Sequence, residues 1–258
     1  LKVGASEITQ DVRLAANSRR LDFETTVAWQ EKHRMLRVAF PVDVAATEAT
    51  FDIQYGYVKR PTHRNTSWDM ARFEVTAHRY VDLSDNDHGV ALLNDCKYGH
   101  KVLNNVIDLN LLRSPNYPDP DADQQEHTFT YSLFPHEGPL IGSSVQVEAA
   151  ALNQELVLFE GMASSRDLMP IRITGTGVSL EVVKKAEAED CLILRVVETL
   201  GRKSTGRLIV DWPDCTLVET DLMEWQDGET RALDGPIDLL LQPFEITTYK
   251  LKRRGREE

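Results

Sequence analysis

Between residues 59 and 131 the chain concentrates the side-chain types that do chemistry. Three runs stand out: Arg60-Pro61-Thr62-His63-Arg64-Asn65-Thr66-Ser67-Trp68-Asp69, then Leu93-Asn94-Asp95-Cys96-Lys97-Tyr98-Gly99, then Leu112-Arg113-Ser114-Pro115. Each is expected at a strand end or in a loop, where a rigid scaffold carries its binding groups. Carboxylates and amides bridge adjacent hydroxyls, and an indole face covers the apolar side of a pyranose, so this mixture suits sugars. The same residues also serve structure: Asn94 and Asp95 as Asx turns, Lys97 as a solvated charge, Trp68 as core.

Other patterns are weaker. Asp119-Pro120-Asp121-Ala122-Asp123 invites a calcium reading, but the sixth and twelfth positions of an EF-hand loop, glycine and glutamate, are here Gln124 and Thr130. A solvated acidic loop stiffened by Pro118 and Pro120 fits better. Histidines at 33, 63, 78, 88, 100, 127 and 136 form no His-x-Asp or H-E-x-x-H pair, so zinc is not indicated within this chain. G-x-S-x-G, P-loop and dinucleotide patterns are missing, and Gly175-Thr176-Gly177 lacks a third glycine. Carboxylate pairs for glycoside hydrolysis come from different strands, and spacing alone does not test for them.

The elements that position these runs are mostly strands. Leu21, Phe23, Thr25, Val27 and Trp29 alternate with Asp22, Glu24 and Thr26, the period of an extended chain with one buried face. Phe51, Ile53, Tyr55 and Tyr57 repeat it, as do Phe73, Val75 and Ala77, then Phe129, Tyr131 and Leu133. Residues 90–93 and 107–112 are evenly apolar, as in strands covered on both faces. One short helix is expected within 143–156, where Val147, Ala150, Ala151 and Gln154 share helical spacing after Pro139 and Gly142. Residues 158–170 read as a connection, with a boundary near 160–170. Strand signals resume at 178–183, 191–198, 207–212, 216–224 and 244–251, punctuated by turns at Asp227-Gly228 and Asp234-Gly235-Pro236.

The length of 258 residues, at about 150 per domain, allows one to two domains. A formal net charge of −12 argues against general attraction to nucleic acid or anionic lipid. No segment has the roughly 18 apolar residues that span a bilayer. Three cysteines without a C-x-x-C pair fit a reducing, cytoplasmic setting better than a disulfide framework. The chain starts at Leu1, without methionine, which suggests an excised piece.

Several runs carry a resemblance: Asp22-Phe23-Glu24-Thr25, Ala39-Phe40-Pro41-Val42, Arg60-Pro61-Thr62-His63, Asn65-Thr66-Ser67-Trp68-Asp69 and Arg72-Phe73-Glu74-Val75. Residues 89–99, Leu111-Leu112-Arg113-Ser114-Pro115 and residues 129–136 continue it in the same order, and residues 191–195 and 243–246 extend it to the end. Together they resemble the C-terminal half of the α-mannosidases of glycoside hydrolase family 38, in the cytosolic, vacuolar and bacterial branch. Two departures are Ala28 where aspartate is expected before Trp29, and Gln125 where glycine is expected before Glu126.

The resemblance implies a mainly β architecture: a large antiparallel β-supersandwich of the galactose mutarotase type over 1–165, a small β-sandwich over 166–258, and one short helix between. It implies a zinc ion and an aspartate nucleophile on an N-terminal β/α barrel that this chain lacks, so the chain itself is expected to be inactive and metal-free. The activity implied for the whole is retaining hydrolysis of terminal α-mannosides of oligosaccharides. The expected partners are that barrel, mannose-containing oligosaccharides and a second copy of the chain. Residues expected to face the substrate cleft are His63, Arg64, Trp68, Asp69, Asn94, Asp95, Lys97, Tyr98 and Arg113, with none catalytic. A stand-alone carbohydrate-binding module is the alternative.

Overall fold

The computed structural model describes residues 1–154, 160 and 170–253. The chain divides into two compact units, Leu1–Gln54 with Val58–Val157, and Tyr55–Tyr57 with Leu158–Glu258. The boundary expected at 165/166 lies outside the described residues. Both units are antiparallel β-structure, and no helix of the described residues is long and apolar enough to cross a membrane.

The first unit contains β1 (Lys2–Val3), β2 (Ser6–Leu14), β3 (Leu21–Ala28), β4 (Met35–Pro41), β5 (Glu48–Ile53), β6 (Gly56–Pro61), the helix α1 (Ser67–Ala71), β7 (Val75–Thr76), β8 (Tyr80–Ser84), β9 (His88–Asn94), β10 (Gly99–Leu103), β11 (Val106–Arg113), β12 (Glu126–Glu137) and the helix α2 (Val145–Asn153). Eight strands form one sheet in the order β1-β2-β3-β12-β9-β8-β5-β6, and four form a second, β4-β11-β10-β7. One apolar core draws on both: Val27, Phe51, Leu92 and Phe129 from the large sheet, Val102, Ile107 and Leu109 from the small one. Full burial of each such side chain contributes about 1.5–3 kcal/mol.

Alternation in β3 is as read, with Thr25, Val27 and Trp29 buried. Its partner β12 pairs Glu126 with Ala28, and the Trp29 amide donates to the Gln125 carbonyl at 3.0 Å. Both departures from the family pattern therefore meet at one end of one ladder, joined there through the backbone.

Four expectations need correction. The aromatic alternation from Phe51 to Tyr57 is a hairpin, since β5 ends at Ile53 and Tyr55 adopts φ 56°. Alternation survived a turn whose residues happen to be aromatic. Phe73 lies outside β7 and is 73% exposed, while Ala77 is buried. Helix α2 forms, but it buries Val145 and Ala149 and leaves Val147 exposed, the neighbouring i, i+4 stripe having been hidden among alanines. α1 was not expected, because its five residues bury none of themselves and present no apolar period.

A buried ion pair ties β8 to β12 across β9. The His136 ring Nε2 donates to Asp82 Oδ1 at 2.8 Å, and Ser84 Oγ donates to Asp82 Oδ2 at 2.7 Å. Gly89 lies between them, and a Cβ there would come within 2.5 Å of His136 Nε2, so the close approach requires glycine. Burial alone would lower the His136 pKa, but the hydrogen bond and charge of Asp82 outweigh it and raise it. A raised folded-state pKa stabilises fully below the unfolded value near 6.5, and the benefit is lost as pH rises through the folded value. Urea midpoints are therefore expected to fall between pH 6 and 8, and His136→Gln should remove that component of the slope.

The second unit contains β13 (Ile171–Thr174), β14 (Val178–Lys185), β15 (Leu192–Glu198), β16 (Ser204–Val210), β17 (Cys215–Thr220), β18 (Asp227–Leu233), β19 (Ile237–Leu241) and β20 (Ile246–Arg253). Sheets β13-β16-β19 and β14-β15-β20-β17-β18 share a core of Ile171, Leu208, Leu239, Leu194, Val196 and Leu217. Asp227-Gly228 is not the expected turn but opens β18. Asp227 lies 2.7 Å from the Nζ of Lys250, a side chain only 3% exposed, and hydrogen bonds from Asp227 and Glu189 raise that lysine's pKa further.

Candidate functional site

The first run is pinned at its start. Thr62 is buried, its Oγ1 donating to the Ala46 carbonyl at 2.7 Å and its amide to the Thr47 carbonyl at 3.0 Å. Four residues later Thr66 caps α1: its Oγ1 accepts from the Asp69 amide at 3.1 Å, and Asp69 Oδ2 accepts from the Thr66 amide at 3.2 Å. This is a capping box with aspartate as its acid. The Thr66 hydroxyl holds the Asp69 carboxyl below the usual carboxylate range, with smaller help from His63 and Arg72. Asp69 is therefore committed to the helix start.

Around this helix lies a small open cleft, its walls including Arg60, His63, Arg64, Asp69, Arg72, Glu74, His100 and Lys101. Its carboxylates are engaged. Asp69 caps α1 and lies 3.7 Å from Arg72 Nη1, and Glu74 accepts from Arg37 at 2.6 Å. Arg37 also donates to Asp108 at 2.7 Å, and Lys101 lies 3.4 Å from the other Asp108 oxygen. The Arg60 guanidinium stacks over Phe51, 4.6 Å from the ring centroid. His100 is wholly buried, and burial pushes its pKa down to about 3 despite the opposing Lys97 backbone; the ring is neutral at any ordinary pH.

The second run forms a tight turn. Asn94 is fully buried; its Nδ2 donates to the His78 carbonyl at 2.7 Å, and its Oδ1 accepts from the Lys97 amide at 2.6 Å. Both ends of its amide are thus engaged in the turn. Asp95 Oδ2 accepts from the Thr130 amide at 2.8 Å, while Asp95 Oδ1 is buried without a partner. Lys97 Nζ sits 4.5 Å from the centroid of Phe129, a cation–π contact worth about 0.5–1 kcal/mol. Partial burial and the neighbouring Asp95 carboxylate push the Cys96 thiol up to about 12, which disfavours the thiolate. Tyr98 is half exposed, edge-on to His78 at 5.1 Å.

Arg113 ends β11, whose ladder with β4 shifts register just before it, between Asn110 and Leu112. Its amide donates to Asp123 Oδ2 at 3.1 Å, and Asp119 accepts from the Asp121 amide at 2.9 Å, so the acidic loop spends carboxylates on its own turns. Trp68 is 79% exposed and is not core. Of the nine expected residues, the cleft brings together His63, Arg64 and Asp69, not the other six. Arg60, although it opens the first run, and Arg72, Glu74, His100 and Lys101 were not among the residues expected to face the cleft. His100 carried a usable signal, since it shares the buried face of β10 with Val102.

No group of three His, Cys, Asp or Glu side chains among the described residues is placed to hold a metal ion. The chain's described residues thus do not fit the zinc that the resemblance implies.

Residues 1–121 match the profile described as the glycosyl hydrolases family 38 C-terminal domain, and residues 177–249 the family 38 C-terminal beta sandwich domain. The chain belongs to glycoside hydrolase family 38. Within the family it is 39% identical to alpha-mannosidase G of Dictyostelium discoideum, aligning over 97% of this chain and 24% of that protein. It is also 39% identical to human alpha-mannosidase 2C1, over 95% of this chain and 24% of that protein. An alpha-mannosidase structure from Enterococcus faecalis V583 superposes with a TM-score of 0.76 at 25% identity, covering 95% of this chain and 29% of that one. The chain thus spans about a quarter of the length of the curated relatives it matches. The first family 38 segment contains the cleft, the 94–98 turn and Arg113.

Proposed function

We propose that this chain works as the C-terminal β region of a larger, retaining, zinc-dependent α-mannosidase that removes terminal α-mannosides from oligosaccharides, and that it has no turnover of its own. The observation that carries this is the alignment of nearly the whole chain to only a quarter of proteins named alpha-mannosidase. Glycoside hydrolysis needs two carboxylates free to act as acid and as nucleophile or base. In the candidate site Asp69 is spent on a helix cap, Glu74 on Arg37 and one oxygen of Asp95 on Thr130. In this reading the reacting carboxylates and the zinc are supplied by a catalytic barrel outside these residues. Three free cysteines, Cys96, Cys191 and Cys215, support a reducing, cytoplasmic setting.

In this reading the chain contributes positioning groups. Trp68 and Tyr98 expose aromatic faces that stack on a sugar ring, Arg64 and Arg113 present exposed donors, and Lys97 and Asp95 shape the turn beside them. In the enzyme that contains this chain, Trp68→Ala and Tyr98→Ala are expected to raise KM several-fold with kcat little changed, because stacking contributes about 0.5–1.5 kcal/mol per aromatic contact. Unchanged kinetics in both variants would leave these residues no part in binding. The exposure of Trp68 also favours a second reading, a stand-alone carbohydrate-binding module; saturable binding of mannose or manno-oligosaccharides by the chain alone would support it.

A further inference from the structure

Seven buried side-chain nitrogen and oxygen atoms among the described residues lack a hydrogen-bond partner, and four of them belong to the walls of one cleft. They are Arg60 Nη1, His63 Nδ1, which lies 3.9 Å from Asp69 Oδ2, and both ring nitrogens of His100, which the Lys97 backbone approaches without good hydrogen-bond geometry. Buried polar groups are nearly always paired, and orphans gathered around one space point to a ligand that supplies the missing partners. The charge in the cleft has a definite sign. Its carboxylates, Asp69 and Glu74, face Arg72 and Arg37 respectively, and Lys101 is held by Asp108. Arg60 and Arg64 make no ion pair with any described residue, and the proximity of Arg72 to Arg60 adds like-charge repulsion. This local excess of positive charge sits in a chain of net charge −12.

The Arg60 guanidinium is held over the Phe51 ring, 4.6 Å from its centroid. Its planar fork matches the paired oxygens of a carboxylate or phosphate better than a single hydroxyl. A neutral imidazole has one N–H to give and one nitrogen to accept, so His100 can donate to an anion and accept from a hydroxyl beside it.

We propose that this cleft binds the oxyanion group of a small ligand, a carboxylate or a phosphate, with Arg60 as principal donor and His63 and His100 completing the hydrogen-bond set. The inference stands apart from the mannosidase reading, since it rests only on the side chains of the cleft. The probes are inorganic phosphate and acetate, titrated separately into the chain at constant ionic strength against chloride, with the imidazole resonances of His63 and His100 followed by NMR. At least one probe should saturate and shift both rings while chloride does not. Tighter phosphate binding indicates a phosphorylated ligand, and tighter acetate binding a carboxylated one. Arg60→Gln should weaken the binding by roughly tenfold or more. Arg60→Lys keeps the charge but loses the fork and gives the same reading if Arg60→Gln does not fold. Absence of saturation by either probe, shifts reproduced by chloride, or unchanged affinity in the variant that folds would overturn the proposal.

Discussion

Glu198→Ala is expected to destabilise the second unit by about 3–5 kcal/mol, the loss associated with stranding several buried donors at once. Glu198 is wholly buried at the end of β15. Its carboxylate accepts from the amides of Leu200, Gly201 and Arg202 at 3.0, 2.8 and 3.3 Å, from Ser204 Oγ at 3.0 Å and from the Phe244 amide at 3.0 Å. It organises a turn in which Gly201 takes φ 65° and a loop in which Phe244 takes φ 57°. Alanine leaves those donors without their acceptor. Glu198→Gln keeps one acceptor oxygen and should cost less than Glu198→Ala. Urea unfolding followed by circular dichroism measures the order, and an alanine variant within 1 kcal/mol of the parent would contradict it.

Trp29→Ala should cost the first unit a comparable amount, about 3–5 kcal/mol for an aromatic side chain removed from a packed core. Trp29 is 1% exposed within the core cluster. Its Nε1 also donates to Ser114 Oγ, in a buried hydrogen bond. That bond reaches from the end of β3 to the residue after Arg113, which the proposed function places at the substrate. Trp29→Phe retains most of the buried area but strands the Ser114 hydroxyl, and should fall between the parent and Trp29→Ala. In the enzyme that carries this chain, both variants should weaken substrate binding through a looser Arg113 before they unfold. Equal stability of Trp29→Phe and Trp29→Ala would mean that the hydrogen bond, not the packing, dominates at this position.

The strands were legible wherever one face is buried, as in β3, β12 and β20, because a period of two records which side meets the core. The sequence misled where alternation continued through a turn, as at Tyr55, and where a carboxylate-glycine pair opened a strand, as at Asp227. In the second case the cause is tertiary: Lys250 holds the Asp227 side chain. α1 follows from a local hydrogen-bond box, visible as Thr66 and Asp69 three apart, and not from any apolar pattern. The site runs were found from residue type, yet the division of labour within them was not. Asn94 closes a turn, Asp69 caps a helix, and Trp68 is exposed, and only burial and partners separate these roles. Arg60 and His100 gain interest from what they lack, a partner, and a linear sequence records no such absence.

Hydrolysis of an aryl α-mannoside by the chain alone, assayed with zinc added and with zinc chelated, tests the central claim most directly. The account predicts no turnover above the uncatalysed rate in either condition, with a folded chain by circular dichroism. Zinc-dependent hydrolysis at a rate typical of glycosidases, on the order of 1–1,000 turnovers per second, would contradict it and place the catalytic groups within these residues.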